Sequence, residues 1–237
     1  MENNQNAQAE ALIRFAGRMA TMVEQGISFV RIMEHLEDTA EPYGSEAKRL
    51  KECLQASETL SEAMMERRDL YSRYHIGIVR AGEIGGILAT TLRIAADMLA
   101  LEWRIMSRDG ERAAALLIAC PSTRHAPESW ESLSRYQRTA NQYLLCQIGG
   151  SMLAAGVPVL RSIDVIGNLV PRTQLRPIHE ISASIERGEP IDAARLGMLP
   201  DSVVALIDQA EVDGTMAATL LKAAATFRAE LDALAAA

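Results

Sequence analysis

Two short acidic segments are the first places in this sequence where the residue types could do chemistry. Glu83 lies two residues before a pair of glycines, and Glu211 stands with Asp213 just before Gly214. Carboxylates bind hard cations, but Ca²⁺ takes about six to eight oxygen ligands, more than these residues supply. We therefore predict no metal ion. Each glutamate is interpreted as a carboxylate near a helix N-terminus, where the helix dipole favours negative charge, and contact with a protein partner is the alternative.

The glycine-rich segment 82–86 superficially resembles a phosphate-binding loop, but it lacks the sequence context of one. No strand precedes it and no Gly-Lys-Ser/Thr follows it. The four histidines show no metal-ligand spacing, and no nucleophile-elbow pattern is present. The sequence therefore indicates no catalytic residue, no cofactor and no metal, and an enzyme is the least supported class. The four histidines are His35, His75, His125 and His179.

The charge and the cysteine content of the chain indicate which classes of partner and which cellular compartment are expected. The net charge is −7, and nothing in the sequence favours the basic surface that nucleic-acid binders usually carry. Two small basic clusters, Arg67-Arg68 with Arg73 and Arg172 with Arg176, are interpreted as solvated faces, and docking of one of them to an acidic surface or anionic lipid is the alternative. Three cysteines without CxxC spacing fit a reducing cytoplasm. The N-terminus lacks a secretory signal, and the longest apolar run, 113–120, is shorter than the ~20 residues that span a bilayer, so no integral membrane segment is predicted.

The two halves of the chain repeat the same sequence blocks. In one register, Met22 matches Met152, Gly26 matches Gly156 and Arg31 matches Arg161. Two later blocks follow in the same order: 57–63 matches 188–194, and 82–88 matches 210–216. Because collinear blocks indicate a duplicated unit, the repeat sets the expected architecture. The glycines at these blocks are predicted to end helices, because glycine tolerates positive φ; they are Gly26, Gly86, Gly156 and Gly214.

Residue types and spacing predict an all-α fold. Good helix formers dominate, aromatic content is only 4%, and apolar residues recur at spacings of three and four. Thr59 and Glu62 fit a capping box for a short helix, and Asp69 is a candidate cap for the next one. We predict two tandem antiparallel six-helix bundles, residues 8–107 and 134–237, joined by a linker at 108–133.

Four segments of the first copy resemble the F-domain family of the type II secretion and type IV pilus inner-membrane platform. They read Phe15-Ala-Gly-Arg-Met-Ala, Gly26-Ile-Ser-Phe-Val-Arg, Leu60-Ser-Glu-Ala and Val79-Arg-Ala-Gly-Glu-Ile-Gly-Gly-Ile-Leu. The resemblance implies two small helical domains without a catalytic site. It also implies a cytoplasmic role, at the inner membrane face, in contact with an assembly ATPase and other platform proteins.

The chain departs from that family pattern in two ways. Family members carry transmembrane helices after each domain, which are missing here, either naturally or because a segment was removed. The second copy has Asp208 for Arg80 and Ala210 for Gly82, so it is expected to keep the fold and lose a contact. The residues of the predicted partner-binding or structural motif are Arg80, Gly82, Glu83, Gly86, Glu211 and Gly214.

Two functions remain open at this point. The first is a scaffold that couples the assembly ATPase to other machine components. The second is a stand-alone adaptor or regulatory protein that kept the fold and lost the membrane machine. Apolar stripes left over from each bundle also predict a homodimer or pairing of the two halves.

Overall fold

The computed structural model describes residues 2–39, 42–68, 70–109, 134–167, 169 and 175–236. Regular structure in this part of the chain is entirely helical, with no strand. The all-α prediction is therefore confirmed. The chain divides into two compact units, residues 1–123 and 124–237. Nearly all of the predicted linker falls outside the described residues, and the tandem-bundle boundaries stay a prediction.

The described part of the first unit contains six α-helices. They are α1 (Glu2–Glu24), α2 (Phe29–Thr39), α3 (Gly44–Gln55), α4 (Leu60–Met65), α5 (Arg73–Gly85) and α6 (Leu88–Asp109). Helix α1 packs along α6, α2 packs against α3, and α5 packs against α6.

The core of the first unit is filled with large apolar side chains. Phe15 and Met19 of α1 meet Ile32, Met33 and Leu36 of α2 in one cluster, with exposed fractions of 5% or less. Each such side chain contributes about 1.5–3 kcal/mol when fully buried.

The described part of the second unit contains five α-helices and one 3₁₀ turn. They are α7 (Arg135–Ala154), α8 (Val159–Ile166), α9 (Leu175–Glu186), the turn Ala193–Leu196, α10 (Asp201–Asp213) and α11 (Met216–Ala236). A 3₁₀ turn thus stands in the chain order where the first unit has α4.

Helices α7 and α11 run antiparallel in close contact. Arg135, at the start of α7, pairs with Glu230 late in α11 at 2.9 Å. Near the other end of α7, a Cβ on Gly150 would lie 2.9 Å from the Leu221 side chain and 3.1 Å from the Ala217 carbonyl oxygen. The absence of a side chain at Gly150 therefore allows this approach.

Polar side chains fix several helix starts. The Thr59 and Glu62 capping box of α4 is present, as predicted, and Ser134 with Gln137 forms a second one at α7. Helix α5 is capped by Ser72, which accepts from the His75 N–H. The prediction for Asp69 was wrong in this respect, because the helix begins three residues later than that cap would require; Asp69 itself lies outside the described residues.

Candidate functional site

Glu83 lies in the last turn of α5 and reaches the start of α4. Its Oε1 accepts from the Ser61 backbone N–H at 3.2 Å, and its Oε2 accepts from the Ser61 hydroxyl at 2.5 Å. Ser61 is the second residue of α4, where backbone N–H groups have no partner within the helix. The predicted carboxylate at a helix N-terminus is therefore found, but the helix is α4 and not the long helix that follows Glu83.

Glu211 makes the corresponding contact in the second unit. Both of its carboxylate oxygens lie 3.0 Å from the Ile191 backbone nitrogen, which donates to them. Ile191 stands two residues before the 3₁₀ turn, and it matches Leu60 in the repeat register. Each unit thus uses one glutamate, from the helix before its long last helix, to bind the backbone of the same preceding segment.

The four predicted helix-breaking glycines all adopt positive φ. Gly86 and Gly214 have φ of 64° and 69°, and Gly26 and Gly156 have φ of 74° and 83°. The residue after each glycine donates to a carbonyl five positions earlier, at 2.9–3.1 Å, as in a Schellman helix end. These glycines therefore lie at the C-terminal ends of α5, α10, α1 and α7.

Gly82 has a separate role, because α6 passes directly over it. A Cβ at this position would lie 1.9 Å from the Thr91 Oγ1 and 2.9 Å from the Leu88 Cα. A methyl group does not fit between α5 and α6 as they stand. The second unit carries Ala210 at the matching position, buried with 2% exposure, so its corner accommodates a methyl group.

Arg80 is the member of the motif that remains accessible. Its side chain is exposed on α5, and Asp208, its counterpart on α10, is exposed as well. The structure therefore separates the motif into two groups. Gly82, Glu83, Gly86, Glu211 and Gly214 hold the helices in place, while position 80 presents opposite charges to solvent in the two units.

A buried ionic cluster in the first unit was missed by the sequence analysis. Glu46 of α3 is 3% exposed, and its carboxylate binds Arg49 at 2.7 Å and Arg67 at 3.1 Å. Arg49 also donates to the Ala63 carbonyl oxygen at 2.9 Å, so it ties α3 to α4. The hydrogen bond to Glu46 is the main reason that the pKa of Arg49 is raised. Arg67 is thus not simply part of a solvated face.

Two other titratable groups are buried away from the motif. His75 is 4% exposed, its Nδ1 lies 3.0 Å from the Ser72 hydroxyl, and burial lowers its pKa from 6.5 to about 4. Burial raises the pKa of the Cys146 thiol to about 12. A thiol held in this form is a poor nucleophile at neutral pH.

Among the residues that the structure describes, no group of three or more histidine, cysteine or acidic residues is arranged to hold a metal ion. No described helix combines the length and the apolar character needed to cross a bilayer.

Two comparisons with known proteins relate this chain to one family. The family model for "Type II secretion system (T2SS), protein F" matches residues 15–119 and 145–236. A curated protein named "Type II secretion system protein F", from Xanthomonas campestris pv. campestris, is 31% identical over 93 residues. That alignment covers 38% of this chain and 22% of the relative, so the chain matches about a fifth of the relative's length. The two matched segments fit the two repeat copies predicted from the sequence.

Proposed function

Because the chain belongs to the type II secretion system protein F family, we propose that it is a non-catalytic scaffold of a secretion or pilus assembly platform. In this proposal its helical units bind other components of the machine, the assembly ATPase among them, at the cytoplasmic face of the inner membrane. The observation that carries the proposal is the family match over both repeat copies.

The charges at positions 80 and 208 support different partners for the two units. Arg80 is exposed in the first unit and fits an acidic surface, whereas Asp208 in the second unit fits a basic one. Complementary charge across an interface contributes mainly to association rate and specificity. We propose that Arg80 contacts the assembly ATPase and that the second unit has exchanged this contact for another.

The test is co-purification of the full chain with the assembly ATPase encoded in the same genome. We expect the two proteins to co-purify, and Arg80→Glu to weaken the complex by about tenfold or more. Asp208→Asn is the matched control, because it changes the equivalent exposed position in the other copy. A complex that Asp208→Asn weakens as much as Arg80→Glu would refute the assignment of Arg80.

The scaffold proposal itself has a broader test. A reconstituted platform containing the ATPase and the remaining machine proteins should retain the chain. If the chain contacts none of them, the scaffold proposal fails and the alternative of a stand-alone adaptor replaces it. A homodimer, which the sequence analysis also predicted, would appear in light scattering of the purified chain.

A further inference from the structure

The core of the second unit contains an apolar cleft that its own side chains do not fill. The unfilled space is about 80 Å³. The wall is formed by α7, α8, α9, the 3₁₀ turn, α10 and α11. Among the described residues that line the cleft, Ser162 is the one with a polar side chain. The buried lining residues of the cleft include Leu145, Gly149, Ile166, Ile178, Ile181 and Leu220.

The first unit also contains an apolar space, but it is smaller, about 30 Å³, and Met19 is among the side chains that line it. In the register that pairs Met22 with Met152, Gly149 stands where the first unit has Met19, and Ser162 stands where it has Ile32. Met19 and Ile32 are 5% and 0% exposed within the core of the first unit. The second copy of the repeat has therefore exchanged core-filling side chains for smaller ones at the position of the cleft.

Ser162 adds a second sign that this space is not ordinary core. Its side chain is 2% exposed, and its hydroxyl has no hydrogen-bond partner among the residues that the structure describes. Buried polar groups are nearly always paired, and an unpaired one calls for an explanation. The unfilled space and the unpaired Ser162 hydroxyl each lower the folding stability of the second unit. Binding sites are where proteins typically retain such destabilising features.

The mouth of the cleft is apolar and the helix beside it is acidic. The half-buried lining residues, which we call the mouth, are Leu153, Val159, Ile163, Ile191 and Met216. Glu211 holds the Ile191 backbone, so its carboxylate lies at the edge of the mouth. Helix α10, to which Glu211 belongs, carries four acidic residues and no basic one. Its Val212 is 83% exposed, four residues before Met216.

We propose that this cleft is the docking site for a positively charged amphipathic helix of a protein partner. The partner inserts one aliphatic side chain beside Ser162 and places basic residues along the acidic α10. The size of the space favours a single aliphatic side chain, since a cavity that holds benzene measures roughly 150 Å³. Amphipathic helices bind apolar grooves through such anchors, with flanking charges that set the orientation. The inference rests on the proposed scaffold function, because it assigns a docking site for one of the partners.

The experiment measures binding of two synthetic helical peptides to the full chain. Each has about 18 residues, enough for a stable helix, with leucine on one face and either lysine or glutamate on the other. Ser162→Ile fills the cleft with the side chain that the first unit uses, so it should raise the unfolding temperature and keep the fold. Ser162→Ala removes the hydroxyl and leaves the space open, which makes it the matched control.

We expect the lysine peptide to bind the wild type and Ser162→Ala, and to bind Ser162→Ile about tenfold more weakly or worse. The glutamate peptide should not bind. Methyl NMR should place the contact at Ile163, Ile191 and Met216. Equal binding of the lysine peptide to Ser162→Ile and Ser162→Ala would overturn the proposal, as would equal binding of the two peptides or no binding at all.

The same variants separate this inference from the scaffold proposal. If platform components bind Ser162→Ile as well as wild type, the scaffold function stands and the cleft is not their docking site. If the lysine peptide binds at the mouth but no platform component binds the chain, the cleft stands as a docking site and the scaffold function fails.

Discussion

Replacing Gly82 by alanine tests whether the close approach of α5 and α6 depends on the missing side chain. The new Cβ would lie 1.9 Å from the Thr91 Oγ1 and 2.9 Å from the Leu88 Cα. Ordinary contacts between carbon atoms lie at about 3.5–4.0 Å. Rotation of Thr91 can relieve the first overlap, but the second is with the α6 backbone. Helix α6 must therefore shift, and Thr91, which is fully buried, must shift with it.

The expected size of the effect combines two opposing contributions. Forcing an extra methyl group into a packed core costs about 1–3 kcal/mol, and more where backbone must move. Alanine regains about 1 kcal/mol of helix propensity over glycine. Because the overlap includes backbone, we place the loss near the upper end of the range and expect Gly82→Ala to lower the free energy of unfolding by about 2 kcal/mol.

The assay is urea unfolding of the full chain with a signal specific to the first unit. The chain has two tryptophans, and Trp103 lies in α6. In a Trp130→Phe background, the fluorescence of Trp103 reports α6 and the unit around it. We expect the urea midpoint of this signal to fall in Gly82→Ala, and Thr91→Ala to recover part of the loss by removing the nearest atom.

Gly17 provides the matched control, since it also lies inside a helix of the first unit. A Cβ there would meet nothing within 4 Å. Gly17→Ala should therefore stabilise the unit by about 0.5–1 kcal/mol through helix propensity alone. If Gly82→Ala proves as stable as Gly17→Ala, the helices are not held as closely as this geometry requires, and the reasoning is wrong.

Three further predictions concern buried or capping groups. Burial holds the folded-state pKa of His75 at about 4 against 6.5, so the unfolded chain binds more protons between these values. Stability should fall as the pH drops from about 6.5 to about 4, by at most about 3 kcal/mol, and pH-dependent unfolding of His75→Gln should lack this part. Glu46→Gln should cost about 2 kcal/mol in thermal unfolding, because two arginines lose their buried partner. Glu10, whose carboxylate lies 3.8 Å from Arg14 in an exposed ion pair, is the control, and Glu10→Gln should cost under about 0.5 kcal/mol; equal losses would contradict the cluster. Glu83→Gln should cost about 1 kcal/mol, since an uncharged amide accepts more weakly from the start of α4, and hydrogen exchange at Ser61 should rise; an unchanged exchange rate would exclude the contact.

Much of the helical framework could be predicted from neighbouring residues alone. Thr59 and Glu62 are three positions apart, and this spacing alone predicts the reciprocal capping hydrogen bonds that the structure shows. The positive φ of Gly86 and Gly214 follows from their place after helical stretches. The cap of α5 was assigned to Asp69 and proved to be Ser72, because several polar residues there are eligible and only packing selects one.

The sequence singled out the residues of the candidate site, but it did not predict which groups those residues contact. Glu83 and Ser61 are 22 residues apart, and no local pattern says which helix start receives the carboxylate. One partner of Glu46, Arg49, lies one turn away in α3 and could be suspected from spacing, whereas the other, Arg67, comes from the turn after α4. The only sign of the cleft beside Ser162 in the sequence is that the second repeat copy has smaller residues there. The repeat alignment alone does not show whether other side chains fill the space.

The all-helical class, the repeated blocks, the helix-ending glycines and the family can be inferred from the sequence alone, because each depends on residue type and short-range spacing. Which groups stay accessible and which hold the helices together is visible only in the folded units. Glu83 and Gly82 are held between helices, while Arg80 faces solvent, although all three belong to one turn of α5. The physical reason is that burial and pairing depend on which distant helices pack over a residue, and that packing is a property of the whole unit.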